Sequence, residues 1–265
     1  MTFQFLQTYS IFQIKPVKGR YCFQEPIDEH FKAYNSVDPL WNIFEPFELT
    51  HNHRQGEGST WTNTLNRIRV GKHTEEDVKV LRSRITQQEF LDHDAAHVMY
   101  THKEKNHHNQ NMMDSLVSKE FVFPATNLPN ANVKVDKKKG TVGSTQFKNE
   151  LKLKVGARVS LVFNVNTIDE LVNGTMGTVL GFEKNEQGVI YAIVVEFDQP
   201  SAGLQHRLRN QKIVQKYKTK TVTPIFKHSM EYLKKGGYGK SIRAKVVQYP
   251  LAQSWGMTSH STQVS

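Results

Sequence analysis

The end of the chain gathers groups that could grip a ligand: Thr258, His260, Thr262 and Gln263 set hydroxyls, an imidazole and an amide close together. They follow a strand-like apolar run from Ala244 to Leu251, which places them at a strand end, where α/β proteins collect ligands. Charge points the same way. The chain carries +10 overall, and Gln199 to Ser265 holds twelve Lys or Arg against Glu231 alone. A field of that kind attracts polyanions and suits a phosphate backbone, although a merely solvated basic surface has the same composition.

Other candidate chemistry falls away. Gly239-Lys240-Ser241 ends like a phosphate-binding loop, but Lys234 stands where that loop needs its first glycine, and a strand rather than a helix is expected to follow. His93, His97, His102, His107 and His108 cluster without a supporting carboxylate pattern, so solvated or capping histidines are expected and no metal site. A single cysteine, Cys22, excludes an internal disulfide framework and a thiolate zinc site. Nothing reaches the roughly 18 consecutive apolar residues of a membrane span, so no membrane partner is expected.

The elements that must position these groups fall into four stretches. Residues 1–45 read as a short apolar strand, Phe3 to Ile14, and a connector punctuated by Pro16, Pro26 and Pro39. Residues 46–148 turn helical: Trp61, Leu65 and Ile68 recur at spacings of four and three. Thr74 before Glu75-Glu76-Asp77 opens a second helix. Val98 to Thr101 reads as a buried strand and Lys103 to Leu116 as a polar helix, an alternation that argues α/β. Residues 149–235 alternate apolar and polar in short runs separated by Gly156, Asn173-Gly174, Gly177, Gly181 and Gly188, the signature of a small antiparallel barrel. Residues 236–265 return to a strand, Arg243 to Leu251, which predicts that the barrel is inserted within the α/β domain.

Six segments together carry a family resemblance: Phe12 to Val17, Leu49 to Gln55, Leu65 to Gly71, Leu153 to Val159, Leu171 to Gly174 with Gly177 to Val179, and Gln248 to Leu251 before Trp255 to Gln263. In order and spacing they resemble the C-terminal half of Pif-type DNA helicases, the RecD-like branch of superfamily one, to which the helicases of Helitron transposons are similar. The resemblance implies a second RecA-like domain of the P-loop NTPase type, interrupted by an SH3-like antiparallel barrel and preceded by a remnant of the first RecA-like domain.

It also implies roles. Gln13 resembles the motif III glutamine that couples nucleotide state to DNA, since its amide both donates and accepts. Arg54 resembles the motif IV arginine that reaches the γ-phosphate, where a permanently charged fork stabilises developing charge. Thr101 and Asn109, with Asn106 beside it, resemble the threonine and asparagine that hold the DNA backbone; helix capping is the competing reading of Thr101. Lys152, Lys154 and Arg158 on the barrel would face DNA. Thr258, His260, Thr262 and Gln263 resemble motif V, with departures: Ser261 stands where the family has lysine, Thr262 for serine and Val264 for glycine. The first loses a phosphate contact and the last a turn glycine. In motif III, Tyr9-Ser10 replace Gly-Asp.

The function so implied is an ATP-dependent helicase that unwinds duplex DNA while moving 5′ to 3′ on single-stranded or forked DNA. ATP and Mg2+ would bind the complete enzyme, with a first RecA-like domain supplying Walker A and B elements that these residues lack. The chain alone is expected to be inactive. Two alternatives stay open: a non-catalytic nucleic-acid-binding remnant of a transposon-derived or decayed helicase gene, and a protein-interaction module without a DNA role. A nuclear or mitochondrial setting is implied in a eukaryote, otherwise a cytoplasmic one; telomere upkeep, repair, mitochondrial DNA maintenance and transposition are all compatible.

Overall fold

The computed structural model describes residues 60–85, 95–128, 135–136, 140–143, 145–235 and 241–258. The chain divides into two compact units, residues 1–91 and 92–265.

The described part of the first unit is a helix pair, α1 (Thr60–Arg69) and α2 (Glu75–Arg82), joined through Gly71 at φ 70°. Thr74 caps α2 as its sequence predicts, in a reciprocal box: its hydroxyl accepts from the Asp77 N–H, and the Asp77 carboxylate accepts from the Thr74 N–H. Asp77 also accepts from the Thr64 hydroxyl at 2.8 Å and from Arg67 Nε at 2.8 Å. The Arg67 guanidinium, then the Thr74 amide, hold the Asp77 carboxyl far below the usual carboxylate range.

The second unit is built on one parallel strand pair. β1 (His97–Met99) leads into α3 (His102–Ser115), and β14 (Gly256–Thr258) returns beside β1 in parallel, with His97 opposite Gly256 and Met99 opposite Thr258. The other described strand pairs are all antiparallel. β7 (Arg158–Leu161), β8 (Met176–Lys184), β9 (Ile190–Phe197), β10 (Val222–Phe226) and β13 (Leu251–Gln253) form a five-stranded sheet in the order β10-β9-β8-β7-β13. β2 (Phe121–Pro124) pairs with β6 (Glu150–Leu153). β3 (Thr126–Leu128) pairs with β12 (Ser241–Gln248), which pairs in turn with β11 (His228–Lys235). β4 (Val135–Asp136) and β5 (Thr141–Val142) form a short ladder. Two short helices, α4 (Leu204–Arg209) and α5 (Gln211–Val214), lie between β9 and β10.

This architecture corrects the expected one in three places. The five-stranded sheet is open, with β10 and β13 at its edges, so no closed barrel forms among the described residues. Antiparallel pairing starts at Phe121, not near residue 149. The run Arg243 to Leu251 does not carry the chain back to the parallel pair: most of it is the hairpin strand β12, Leu251 opens β13, and the return strand is β14. Period-two alternation identifies a strand but not its partner.

One core ties helix to sheet. Met113 of α3 packs with Phe123, Leu151, Leu153, Val159, Leu161, Val179, Ile193, Tyr249, Leu251 and Trp255, all buried. Burying a side chain of this size contributes about 1.5–3 kcal/mol. The Gln248-Tyr249 pair is a clip inside it. The Gln248 amide donates to the carbonyls of Phe123 and Lys148 and accepts from the Tyr249 N–H. The Tyr249 hydroxyl donates to the Ile190 carbonyl, and burial pushes its pKa up to about 12. The expected Asn173-Gly174 turn is present, but only Gly174 takes positive φ, at 91°, while the Thr175 N–H donates to the Val172 carbonyl. That is the pattern of a type II turn, which needs glycine at its third position alone.

Candidate nucleic-acid interface

The parallel pair creates one distinctive edge. β1 and β14 run the same way, so both finish at the carboxyl end where open α/β sheets take ligands. Thr258, the last residue of β14, is buried there. Two residues past Met99, exposed Thr101 caps α3: its hydroxyl accepts from the Glu104 N–H and donates to the Glu104 carboxylate, which also accepts the Thr101 N–H. The threonine's hydroxyl and amide hold Glu104 below its ordinary carboxylate pKa. Capping therefore describes Thr101 in this structure.

Running from this edge, α3 carries Lys105, Asn106 and Gln110 along a cleft of about 260 Å³ whose other wall holds Lys148, Lys152 and Gln253. Three ammonium groups and four side-chain amides line it, the buried Asn109 among them, against one acid, Glu150, which sits 3.4 Å from Lys152. Both members of that ion pair are about half exposed, so solvent screens it to little net energy. The Gln253 amide donates to the Lys152 carbonyl and the Gln110 amide to Asp114, which orients both. The cleft is lined by ammonium and amide groups, with no arrangement of nucleophile and base among its lining residues. Such a set positions phosphodiesters.

Of the sequence-assigned residues, Thr101, Asn109, Lys152 and Thr258 fall in this region, and three assignments change. Asn109 is buried, and its amide donates to the carbonyls of Gln253 and Gly256 while its oxygen accepts from the Gly256 N–H at 2.6 Å. It fastens α3 to β14 and leaves no donor for a phosphate. Lys154 donates to the carbonyls of Met113 and Leu116 at 2.9 and 2.8 Å, so its cation serves the C-terminal end of α3, where the helix dipole favours positive charge. Arg158 is buried and grips Asp198 through two nitrogens at 2.6 Å each, with Thr178 beside them. In each case the fold uses the side chain's hydrogen bonds internally. Gln13, Arg54, His260, Thr262 and Gln263 lie outside the described residues, as does His93.

Lys105 and Gln110 were not legible as site residues, although Lys105 stands four positions after Thr101 and therefore on the same helix face. Gln253 and Lys148 carried no local signal at all, because β-strand pairing over long sequence separations brings them there.

The His97 and His108 rings sit 4.7 Å apart beneath this edge. Burial first, then the neighbouring His97 and His107, lower the His108 pKa. No group of three metal-ligating side chains is present among the described residues. The Gly239-Lys240-Ser241 sequence runs into strand β12 at Ser241, which leaves no helix N-terminus for a phosphate loop. Among the described residues no helix is long and apolar enough to cross a membrane.

Residues 145–182, spanning β6 to β8, match the family described as DNA helicase Pif1, 2B domain. The fold is similar to that of a double mutant of the Pif1 helicase from Bacteroides, with a TM-score of 0.59 at 18% identity over 96% of this chain and 52% of that one. The Bacteroides sp. Pif1 in complex with ADP-AlF4 gives 0.52 at 17% identity, covering 77% of this chain and 40% of that one. The Bacteroides Pif1 helicase in complex with ADP-AlF3 and ssDNA gives 0.52 at 18%, covering 95% and 52%. No curated protein matches the chain. The chain thus spans about half the length or less of these solved relatives, and it is similar to the C-terminal part of Pif1 helicases.

Proposed function

We propose that this chain is the DNA-gripping C-terminal part of a Pif-type, ATP-dependent DNA helicase. The cleft beside the carboxyl edge of β1 and β14 holds the backbone of single-stranded DNA. The observation that carries this reading is the convergence of Lys105, Lys148 and Lys152 with four side-chain amides in a cleft of a fold similar to Pif1. One of the solved relatives was captured with ssDNA, which supports the same class of partner. In the complete motor, ATP and Mg2+ bind where a first RecA-like domain meets this one, Gln13 and Arg54 sense the nucleotide, and movement runs 5′ to 3′. These 265 residues alone turn over no ATP.

The departures at Ser261 and Val264 favour a second reading, a DNA-binding remnant without motor activity. Both readings share the cleft. Titrating a fluorescent dT strand with the full chain at several salt concentrations tests it: each phosphate contact adds about 0.7 to the slope of log affinity against log salt for a single strand. Reversing charge at Lys105 and Lys152 together lowers that slope by about 1.4. An unchanged slope overturns the cleft assignment. ATP hydrolysis, measured with a Pif-type first RecA-like domain joined ahead of the chain, separates motor from remnant.

A further inference from the structure

The far edge of the five-stranded sheet carries a second feature. Tyr191, near the start of β9, is 39% exposed, although Ala192 to Val195 after it are fully buried. Its ring stacks on Phe226, the last residue of β10, with centroids 6.3 Å apart and planes 23° from parallel. His206 of α4 continues the row, 6.1 Å from Phe226. Leu204 and Leu208 of α4 are also more than half exposed.

Cations flank this shelf. Arg209 lies close enough to His206 to disfavour its protonation, and Lys212 is exposed, whereas Lys216 pairs with Glu183 and Lys227 sits over the Tyr249 ring at 5.5 Å. The nearby acids are engaged: Glu183 pairs with Lys216 and accepts the Tyr217 hydroxyl, Glu196 accepts from Thr219 and Thr221, and buried Asp169 takes the first N–H groups of α4. What faces solvent is chiefly the Tyr191 ring, with Phe226 and His206 partly buried beside it. Charge complementarity selects a polyanion, and the exposed ring selects a polyanion with flat apolar groups of its own, which is single-stranded nucleic acid.

Building on the proposed function, we infer that Tyr191, Phe226 and His206 form a base-stacking shelf for single-stranded DNA, separate from the phosphate-gripping cleft. Gln253 of the cleft lies on β13 and Phe226 on β10, the two edges of the sheet. Four strand spacings put them about 19 Å apart, so one strand reaching both must span several nucleotides. The shelf holds bases without regard to sequence, because every base has a face to stack.

The test compares a dT strand of about 16 nucleotides with an abasic strand of equal length and charge, both binding the full chain. Tyr191→Ala weakens binding of the dT strand about tenfold or more and leaves the abasic strand unchanged. Tyr191→Phe, which keeps the ring, binds as the parent does. Charge reversal at Lys105 and Lys152 weakens both strands. Equal loss on both strands for Tyr191→Ala, or no loss on either, overturns the shelf. The second result leaves the face to an acidic protein segment and the cleft reading intact, whereas charge-reversal variants that bind normally overturn the cleft alone. A parent chain that binds neither strand overturns both.

Discussion

Replacing Asn109 with alanine separates two accounts of the same residue. As a phosphate contact, Asn109 would set DNA affinity and matter little to folding. As the structure has it, the side chain is buried and makes three hydrogen bonds to the Gln253 and Gly256 backbone. Each such bond contributes about 0.5–1.5 kcal/mol net, and a buried group left unpaired costs about 1–3 kcal/mol. Gly256 loses the partner of its N–H. Asn109→Ala should therefore destabilise the chain by roughly 3 kcal/mol, a fall in melting temperature on the order of 6–12 °C for a domain of this size. Calorimetry with salt-resolved dT binding below the transition decides the matter. A melting temperature within a degree or two of the parent, together with weaker DNA binding, refutes the clip and restores the phosphate contact.

Arg158→Met tests the same logic on the five-stranded sheet. Asp198 is half exposed and rehydrates when its partner is lost, so the cost stays near 1–2 kcal/mol in chemical denaturation, and the salt slope of DNA binding is unchanged. A smaller slope would return Arg158 to the DNA face. Acid should weaken the fold through His108, His206 and His228, whose pKa values burial lowers. Their neutral forms are favoured when folded, so the stability they contribute is present above the unfolded value of about 6.5 and is lost as pH falls below it. Denaturant midpoints at successive pH values should drop in that range, and His108→Gln should shrink the drop. A flat profile from pH 7.5 to 5.5 contradicts the burial argument.

Local signals were legible and distant pairings were not. The capping boxes at Thr74 and Thr101 are complete within four residues, so sequence spacing alone specifies them. The alternating runs gave β7, β8 and β9, because period two is intrinsic to a strand. Barrel closure and the destination of β12 depend on partners more than a hundred residues away, such as Val246 beside Asn127, and no window of sequence holds both. The site divides along the same line. Lys152, assigned through the family resemblance, lines the cleft. Lys154 and Arg158, assigned through the same resemblance, are held by the end of α3 and by Asp198, neighbours that only the fold supplies.

Those internal contacts have a consequence for how the cleft works. Asn109 joins α3 to β14 across 147 residues of sequence, and Lys154 joins the antiparallel part to the other end of the same helix. β13 pairs with β7 and stops two residues before β14 starts, leaving Ser254 and Trp255 no slack, since Ser254 donates to the Arg158 carbonyl and Trp255 is buried. The wall bearing Lys148 and Lys152 is thereby held against the helix bearing Lys105. Opening the cleft means breaking buried hydrogen bonds and parting one continuous core. Donors preorganised in this way spend less binding energy on being ordered when a phosphate arrives. Loosening the clamp at Lys154 should raise the entropic cost of DNA binding even though Lys154 touches no DNA. Calorimetric titration of Lys154→Met with a dT strand measures this: the expected result is weaker binding with an unchanged salt slope and a less favourable entropy. A lower slope would mean instead that the ammonium itself faces the strand.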